Sequence, residues 1–162
     1  MILAILALII AVVVVVLDQL FKVLVVEAIN QNGSITVIEN LLDFIYVENR
    51  GAAFGMLANA RWIFIIVTSI VIVGFIIALF KNKTDKKLFY ISSALIIGGG
   101  VGNLIDRVYL GYVIDYIAVS FFPPVCNFAD YAVTVGTFLF LIYMIFQSDF
   151  LKDKNKIDKV VN

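Results

Sequence analysis

The sequence predicts a membrane α-helical protein: four transmembrane helices with a small extracytoplasmic β-sheet and loop between helices one and two. Three observations carry that expectation. Apolar residues make up 63% of the 162-residue chain, charged residues only 15%, and mean hydropathy is +1.08. A soluble domain carries roughly 45–50% apolar and about 25% charged residues, and one this small has too little interior to hide the excess. Four runs are long enough to cross a hydrocarbon core, which takes about 20 apolar residues. Finally, eight of the twelve basic residues fall in two segments, 81–87 and 152–159.

The first run extends from Met1 to about Leu17 without a charge and continues past Asp18 and Lys22 to about Val26. It has no basic leading region and is longer than the apolar part of a cleaved signal peptide, so it is read as a retained helix. The second run spans Trp62 to Phe80, the third Leu88 to about Ile105, and the fourth about Tyr131 to Phe146. Unbroken runs of this kind exclude an outer-membrane barrel, whose strands alternate apolar and polar residues. Between the first two spans, Ser34 to Ile38 and Leu42 to Val47 read as strands after the turn signal at Gln31–Ser34. No repeat or linker divides the chain, so one domain over 1–162 is expected.

Lysine placement sets the expected orientation. Short loops rich in Lys and Arg stay cytoplasmic. Segment 81–87 and the C-terminal tail are then inside, both termini are cytoplasmic, and the connections Glu27 to Arg61 and Asp106 to Asp130 face outward.

Composition also narrows the chemistry. There is no histidine, which excludes Ser-His and Cys-His catalysis and His-based zinc motifs. The single Cys126 excludes an internal disulfide and a Cys-cluster metal site. Net charge is zero, so no nucleic-acid partner is suggested. No metal or cofactor is expected.

Polar residues at membrane depth are costly and therefore informative. Asp18 and Lys22 are four apart and share a helix face; they read either as a self-neutralising helix end or as groups that orient a site. Around Glu48-Asn49-Arg50-Gly51, the small residues Gly51, Ala52, Ala53 and Gly55 read as a site loop. Gly98, Gly99, Gly100 and Gly102 permit close helix packing. Asn103 and Asp106 share a face, with Asp106 and Arg107 read as a charge pair closing the third helix. Asp115 stands in an apolar stretch with no basic residue within four positions, which favours a binding or catalytic role. Pro123 and Pro124 set an extended approach to the fourth helix, with Asn127 as its cap and Asp130 in its first turn, a position that also suits the helix dipole.

Without histidine, two carboxylates sharing one proton remain the strongest chemistry: one is a base for water, the other an acid for the scissile carbonyl and leaving amine. Asp115 and Asp130 are the best pair, with Asn49, Asn103 and Asn127 as neutral donors that hold carboxylates without quenching them. A Ser-Lys dyad from Lys22 with Ser34 or Ser120 ranks lower. Outside hydrolysis, a small proton-coupled transporter using Asp18 or Asp115 predicts internal symmetry, which the sequence lacks, and a non-catalytic assembly subunit gives no reason for the converging asparagines and aspartates.

Five segments, in order, resemble the bacterial lipoprotein signal peptidases (signal peptidase II): Asp-Gln-x-x-Lys at Asp18–Lys22, Glu-Asn-x-Gly-Ala-Ala-Phe at Glu48–Phe54, Gly-Asn-x-x-Asp-Arg at Gly102–Arg107, Val-x-Asp-Tyr-Ile at Val113–Ile117 and Asn-x-Ala-Asp at Asn127–Asp130. The resemblance implies an aspartyl endopeptidase of the bacterial inner or plasma membrane. It would remove the signal peptide from diacylglyceryl-modified prolipoproteins just before the lipid-modified cysteine of the substrate. It implies Asp115 and Asp130 as the catalytic dyad, and Asp18, Lys22, Asn49, Gly51, Gly99, Asn103, Asp106, Arg107, Asn127 and Ala129 as residues that shape the site. It further implies membrane lipid as partner, inhibition by the cyclic peptide globomycin, and a monomer. Tyr131, where a small hydroxyl residue is usual, and Cys126, where an aromatic or aliphatic one is, depart from the family pattern.

Overall fold

Each apolar run becomes a helix because, away from water, a helix satisfies every backbone polar group within its own segment. The computed structural model describes residues 1–51, 60–82, 84 and 86–147. Its elements are α1 (Ile2–Asn32), β1 (Ile35–Ile38), β2 (Leu42–Asn49), α2 (Arg61–Lys81), α3 (Lys87–Tyr109), β3 (Val113–Val119), β4 (Phe122–Cys126) and α4 (Phe128–Ile142), the last running into a π-helical turn at Tyr143–Gln147. All four helices are long and apolar enough to cross a membrane, the fourth when its extension is included.

α3 is the central helix and packs against the other three. Its buried small residues make this possible. The face of α1 carrying Ala4, Ala7 and Ala11 is buried against it, while Ile66, Ile70 and Phe138 on α2 and α4 stay more than half exposed. In water that would be a liability; in a spanning helix it is the lipid face. At the end of the bundle away from the sheet, Phe75, Phe89, Phe140 and Tyr143 stack edge-on or tilted, with the Phe75–Phe140 centroids 5.1 Å apart.

One expectation needs correction and another is extended. α1 runs to Asn32, well past Val26, so Asp18 and Lys22 lie within the helix and not at its end. The small sheet expected between helices one and two is present and extends beyond that connection. It has four antiparallel strands in the order β1-β2-β3-β4, and the second pair comes from the connection between α3 and α4. Pro123 and Pro124 lie in β4, an edge strand, where missing N–H donors are tolerated. The turn from α3 into β3 needs Gly111 at φ 90°, with the N–H groups of Leu110 and Gly111 both donating to the carbonyl of Asp106.

Register brings two outer segments together. Asn49 pairs with Val113, and Val47 with Asp115. Just beyond, between Phe44 and Val47, the ladder is irregular, as is common beside functional sites. The consequence is that Asn49 and Asp115, 66 residues apart in sequence, sit on adjacent strands at the same end of the bundle as the close of α3 and the start of α4.

Candidate active site

The site is assembled at the first turn of α4. Asn127 is its N-cap: the side chain accepts the Asp130 N–H at 2.9 Å, and Asp130 Oδ2 accepts the Asn127 N–H at 3.1 Å. This reciprocal box satisfies two of the free donors at a helix start and locks the rotamer of Asp130. The other oxygen, Oδ1, accepts Asn103 Nδ2 at 2.7 Å. The capping reading of Asp130 and its candidacy for a carboxylate pair are thus compatible in one side chain.

Asp115 sits in β3, 1% exposed. Its Oδ1 accepts Asn127 Nδ2 at 2.6 Å and its Oδ2 accepts Asn49 Nδ2 at 2.8 Å. The Asn49 amide is oriented in turn by the Gly51 N–H, which donates to its Oδ1 at 3.0 Å. One asparagine, Asn127, therefore contacts both carboxylates. Burial, and next the charge of Asp130, push the Asp115 carboxyl up to about 6, against the opposing hydrogen bonds from Asn49 and Asn127. Among the described residues, no Lys or Arg forms an ion pair with either aspartate.

Beside this pair lies a second cluster. Lys22 Nζ is 2.8 Å from Asp18 Oδ2 and 2.8 Å from Asp106 Oδ2, with all three residues at most 3% exposed. Asp18 Oδ1 also accepts the Ala129 N–H at 3.0 Å, a carboxylate placed against the start of α4. Asp106 Oδ2 accepts the Ile114 N–H at 3.0 Å and so ties β3 to α3. The expected Asp106–Arg107 pair does not form. Asp106 takes Lys22 from another helix, and the Arg107 guanidinium lies over the Phe64 ring, 4.9 Å from its centroid, donating to the Asn103 carbonyl at 3.4 Å.

Small residues permit this closeness. Ala129 is fully buried. A Cβ on Gly99 would come within 2.5 Å of the Ala129 carbonyl oxygen, and one on Gly102 within 2.5 Å of Asp18 Oδ2. Of the expected site residues, Asp18, Lys22, Asn49, Asn103, Asp106, Asp115, Asn127, Ala129 and Asp130 belong to one hydrogen-bonded assembly, Gly51 orients Asn49, Gly99 provides clearance, and Arg107 lines the neighbouring cavity. Ala52 to Gly55 lie outside the described residues.

Gln19 is a site residue that sequence reasoning missed: its Nε2 lies 3.2 Å from Asp18 Oδ2, 3.1 Å from Asp106 Oδ1 and 3.3 Å from the Gly102 carbonyl. Its place between Asp18 and Lys22 was the available signal. Thr68 and Thr134 were also missed. They line a cavity of about 310 Å³ with Val71, Asn103, Arg107 and Asp130, enclosed by α2, α3 and α4. A larger cavity of about 700 Å³ lies between α1, α3 and β3, with neither Asp115 nor Asp130 in its lining. Cys126 is half-buried; burial, then the charges of Asp130 and Asp115, push its thiol up to about 11, so it stays a neutral wall of the site. Among the described residues, no group of three metal-ligating side chains is placed to hold an ion.

Such an arrangement suits proton sharing. Two carboxylates held by amides in a low-dielectric setting resist double ionisation and offer an acid and a base at once. The comparisons with known proteins give a peptidase family and the same fold. Residues 10–146 match the family described as signal peptidase (SPase) II. The lipoprotein signal peptidase of Halothermothrix orenii is 40% identical over 84% of this chain and 92% of its own length. That of Caldanaerobacter subterraneus subsp. tengcongensis is 44% identical over 87% and 97%. A solved bacterial membrane enzyme structure superposes with a TM-score of 0.79 at 31% identity, over 93% of this chain and 90% of that one. A second gives 0.77 at 30% identity, over 88% and 94%. Motif order, four spans and a matching fold place this multi-pass membrane protein in the signal peptidase II family, and it is a peptidase.

Proposed function

We propose that the chain is a single-domain aspartic endopeptidase that removes signal peptides from diacylglyceryl-modified prolipoproteins, cutting just before the lipid-modified cysteine. The observation that carries this reading is the setting of Asp115 and Asp130: one carboxylate buried and the other half-buried, bridged by Asn127, each held by amide donors and neither ion-paired among the described residues. The pair holds one proton. The ionised member takes a proton from a water as its oxygen attacks the scissile carbonyl carbon, and the protonated member gives its proton to the carbonyl oxygen. Collapse of the resulting gem-diol breaks the C–N bond, with the amine of the substrate cysteine protonated as it leaves. The cavity beside Asp130, walled by Val67, Val71, Ile72 and Val133, is apolar enough to take a signal-peptide side chain or acyl chain from the lipid side.

Orientation follows the lysines. Lys81, Lys86 and Lys87 lie at the end of the bundle opposite the sheet, which supports cytoplasmic termini and a site near the extracytoplasmic face. Membrane lipid, globomycin as inhibitor and a monomeric state complete the proposal; a nucleic-acid partner is no part of it. The test is cleavage of a prolipoprotein with and without the diacylglyceryl group by the purified protein, beside Asp115→Asn and Asp130→Asn. The expected result is cleavage of the lipid-modified form alone, lost in both variants. Folded variants that still cut would move the chemistry to other residues, and a folded parent that cuts neither substrate would remove the substrate assignment.

A further inference from the structure

The hydrolysis just described makes no use of Lys22, yet its side chain is 2% exposed and all its hydrogen-bonding capacity is committed. An ammonium has three N–H donors and no acceptor. Here they meet three acceptors: Asp18 Oδ2 at 2.8 Å, Asp106 Oδ2 at 2.8 Å and Asn103 Oδ1 at 3.2 Å. The two carboxylates account for its charge. The third contact leads toward the reacting pair.

Asn103 points its Nδ2 at Asp130 Oδ1, 2.7 Å away, while its Oδ1 faces both Lys22 and Asn127 Nδ2, the latter at 3.1 Å. Turning that amide over would set an NH2 against an ammonium and an oxygen against a carboxylate oxygen. Asn127 adds a second constraint. Its Nδ2 has three acceptors in reach, Asp115 Oδ1 at 2.6 Å, Asn103 Oδ1 at 3.1 Å and the Ile114 carbonyl at 3.2 Å, but only two hydrogens. With Lys22 supplying Asn103 Oδ1, Asn127 is free to serve Asp115 and Ile114. Without Lys22, either a hydrogen is diverted from one of them or a buried amide oxygen goes without a donor, and both are costly.

We propose that Lys22 is a positioning residue for the hydrolysis: through Asn103 it aims an amide at Asp130 and frees Asn127 to hold Asp115, so that one cation on α1 sets the donors at both carboxylates while pairing with neither. The proposal rests on the dyad reading above.

A double-mutant cycle tests it. Lys22→Met, Asn103→Ala and the two together are purified in lipid and assayed on diacylglyceryl-modified prolipoprotein, with kcat and KM separated and thermal unfolding recorded alongside. Each single variant is expected to lower kcat about 30-fold or more with KM within about threefold, and the double to fall no more than about threefold below Asn103→Ala, since the route is already cut. Losses that multiply in the double, or a Lys22→Met protein that melts earlier with kcat unchanged, would overturn the relay. If Lys22→Met does not fold, Lys22→Met/Asp106→Asn keeps the cluster's net charge and enters the same cycle against Asp106→Asn. Asp115→Asn and Asp130→Asn in the same assay separate the two readings. If both still cleave, the dyad fails; if both are inactive while the cycle is multiplicative, only the relay fails.

Discussion

Two carboxylate clusters lie side by side in this protein and have opposite electrostatic characters. Asp18 and Asp106 share one ammonium, Lys22, at 2.8 Å on each side. Asp115 and Asp130 are held by asparagine amides, Asn127 reaching both, with its backbone N–H at Asp130. Asp18 and Asp115 are equally buried, both at most 1% exposed. What differs is the partner. A cation within contact distance makes a carboxylate a strut between helices; amide donors fix its position without supplying a compensating charge. The cation-paired cluster thereby ties α1, α3, β3 and the start of α4 together, and the amide-held pair sits on that frame.

The sharpest way to break this comparison is to neutralise one member of each cluster. Asp130→Asn is expected to lower kcat by at least about 10³-fold with a folded protein, since under the proposed mechanism a group that moves a proton in the transition state is lost while its shape and cap remain. Asp106→Leu is expected to do the reverse in emphasis: residual cleavage, with stability lower by about 3–5 kcal/mol, the usual cost of stripping one partner from a buried ion pair, read from thermal unfolding in detergent. If Asp106→Leu abolishes cleavage without altering unfolding, the division between strut and reagent is wrong.

The pH dependence of stability offers a second contrast. The Asp115 carboxyl lies at about 6 in the folded protein, against an ordinary value near 4. The folded state therefore holds that proton more tightly than the unfolded chain does, so stability falls as pH rises from about 4 to about 6 and stays lower beyond. Removing the titrating group abolishes that fall. Relative to the parent, Asp115→Asn should gain about 2 kcal/mol on going from pH 4.5 to pH 8. Unfolding midpoints across that range check it; a parent-to-variant difference that is flat with pH would mean that Asp115 is not held against ionisation.

How much of this was legible in the sequence depended on range. The four spans could be read because hydropathy is local, and Asn127 with Asp130 because a cap and its partner lie within one turn. β4 was read only as an extended approach, because Pro123 and Pro124 argue against a strand unless it is known to be an edge. β3 was noticed for Asp115 and not for its strand character. The ion partner of Asp106 was misassigned for a physical reason: Arg107 is adjacent in sequence, but neighbouring side chains on a helix diverge, and the cation that faces Asp106 is supplied by a helix 84 residues away. The pairing of Asn49 with Asp115 likewise depends on sheet register.

The smallest effects concern three glycines and test whether the two clusters can be disturbed separately. A Cβ on Gly99 would press on the Ala129 carbonyl oxygen at 2.5 Å and Val133 Cγ2 at 2.8 Å, both on the helix that carries Asp130. A Cβ on Gly102 would press on Asp18 Oδ2 at 2.5 Å, within the ion-paired cluster. A backbone carbonyl in a helix cannot swing aside, so Gly99→Ala has to push α4 away from α3 and lengthen the bond from Asn103 to Asp130. It should lose about 1–3 kcal/mol by overpacking and about tenfold or more in kcat, the larger part of its damage being to the reaction. Gly102→Ala should show a comparable stability loss with a smaller change in kcat, because a carboxylate side chain can rotate while keeping Lys22. Gly74→Ala, with nothing within 4 Å of the new methyl, should leave kcat unchanged and raise stability by at most about 1 kcal/mol through helix propensity. Equal kcat losses in Gly99→Ala and Gly102→Ala would mean that strain passes freely from the strut to the dyad, and that the two clusters are mechanically one.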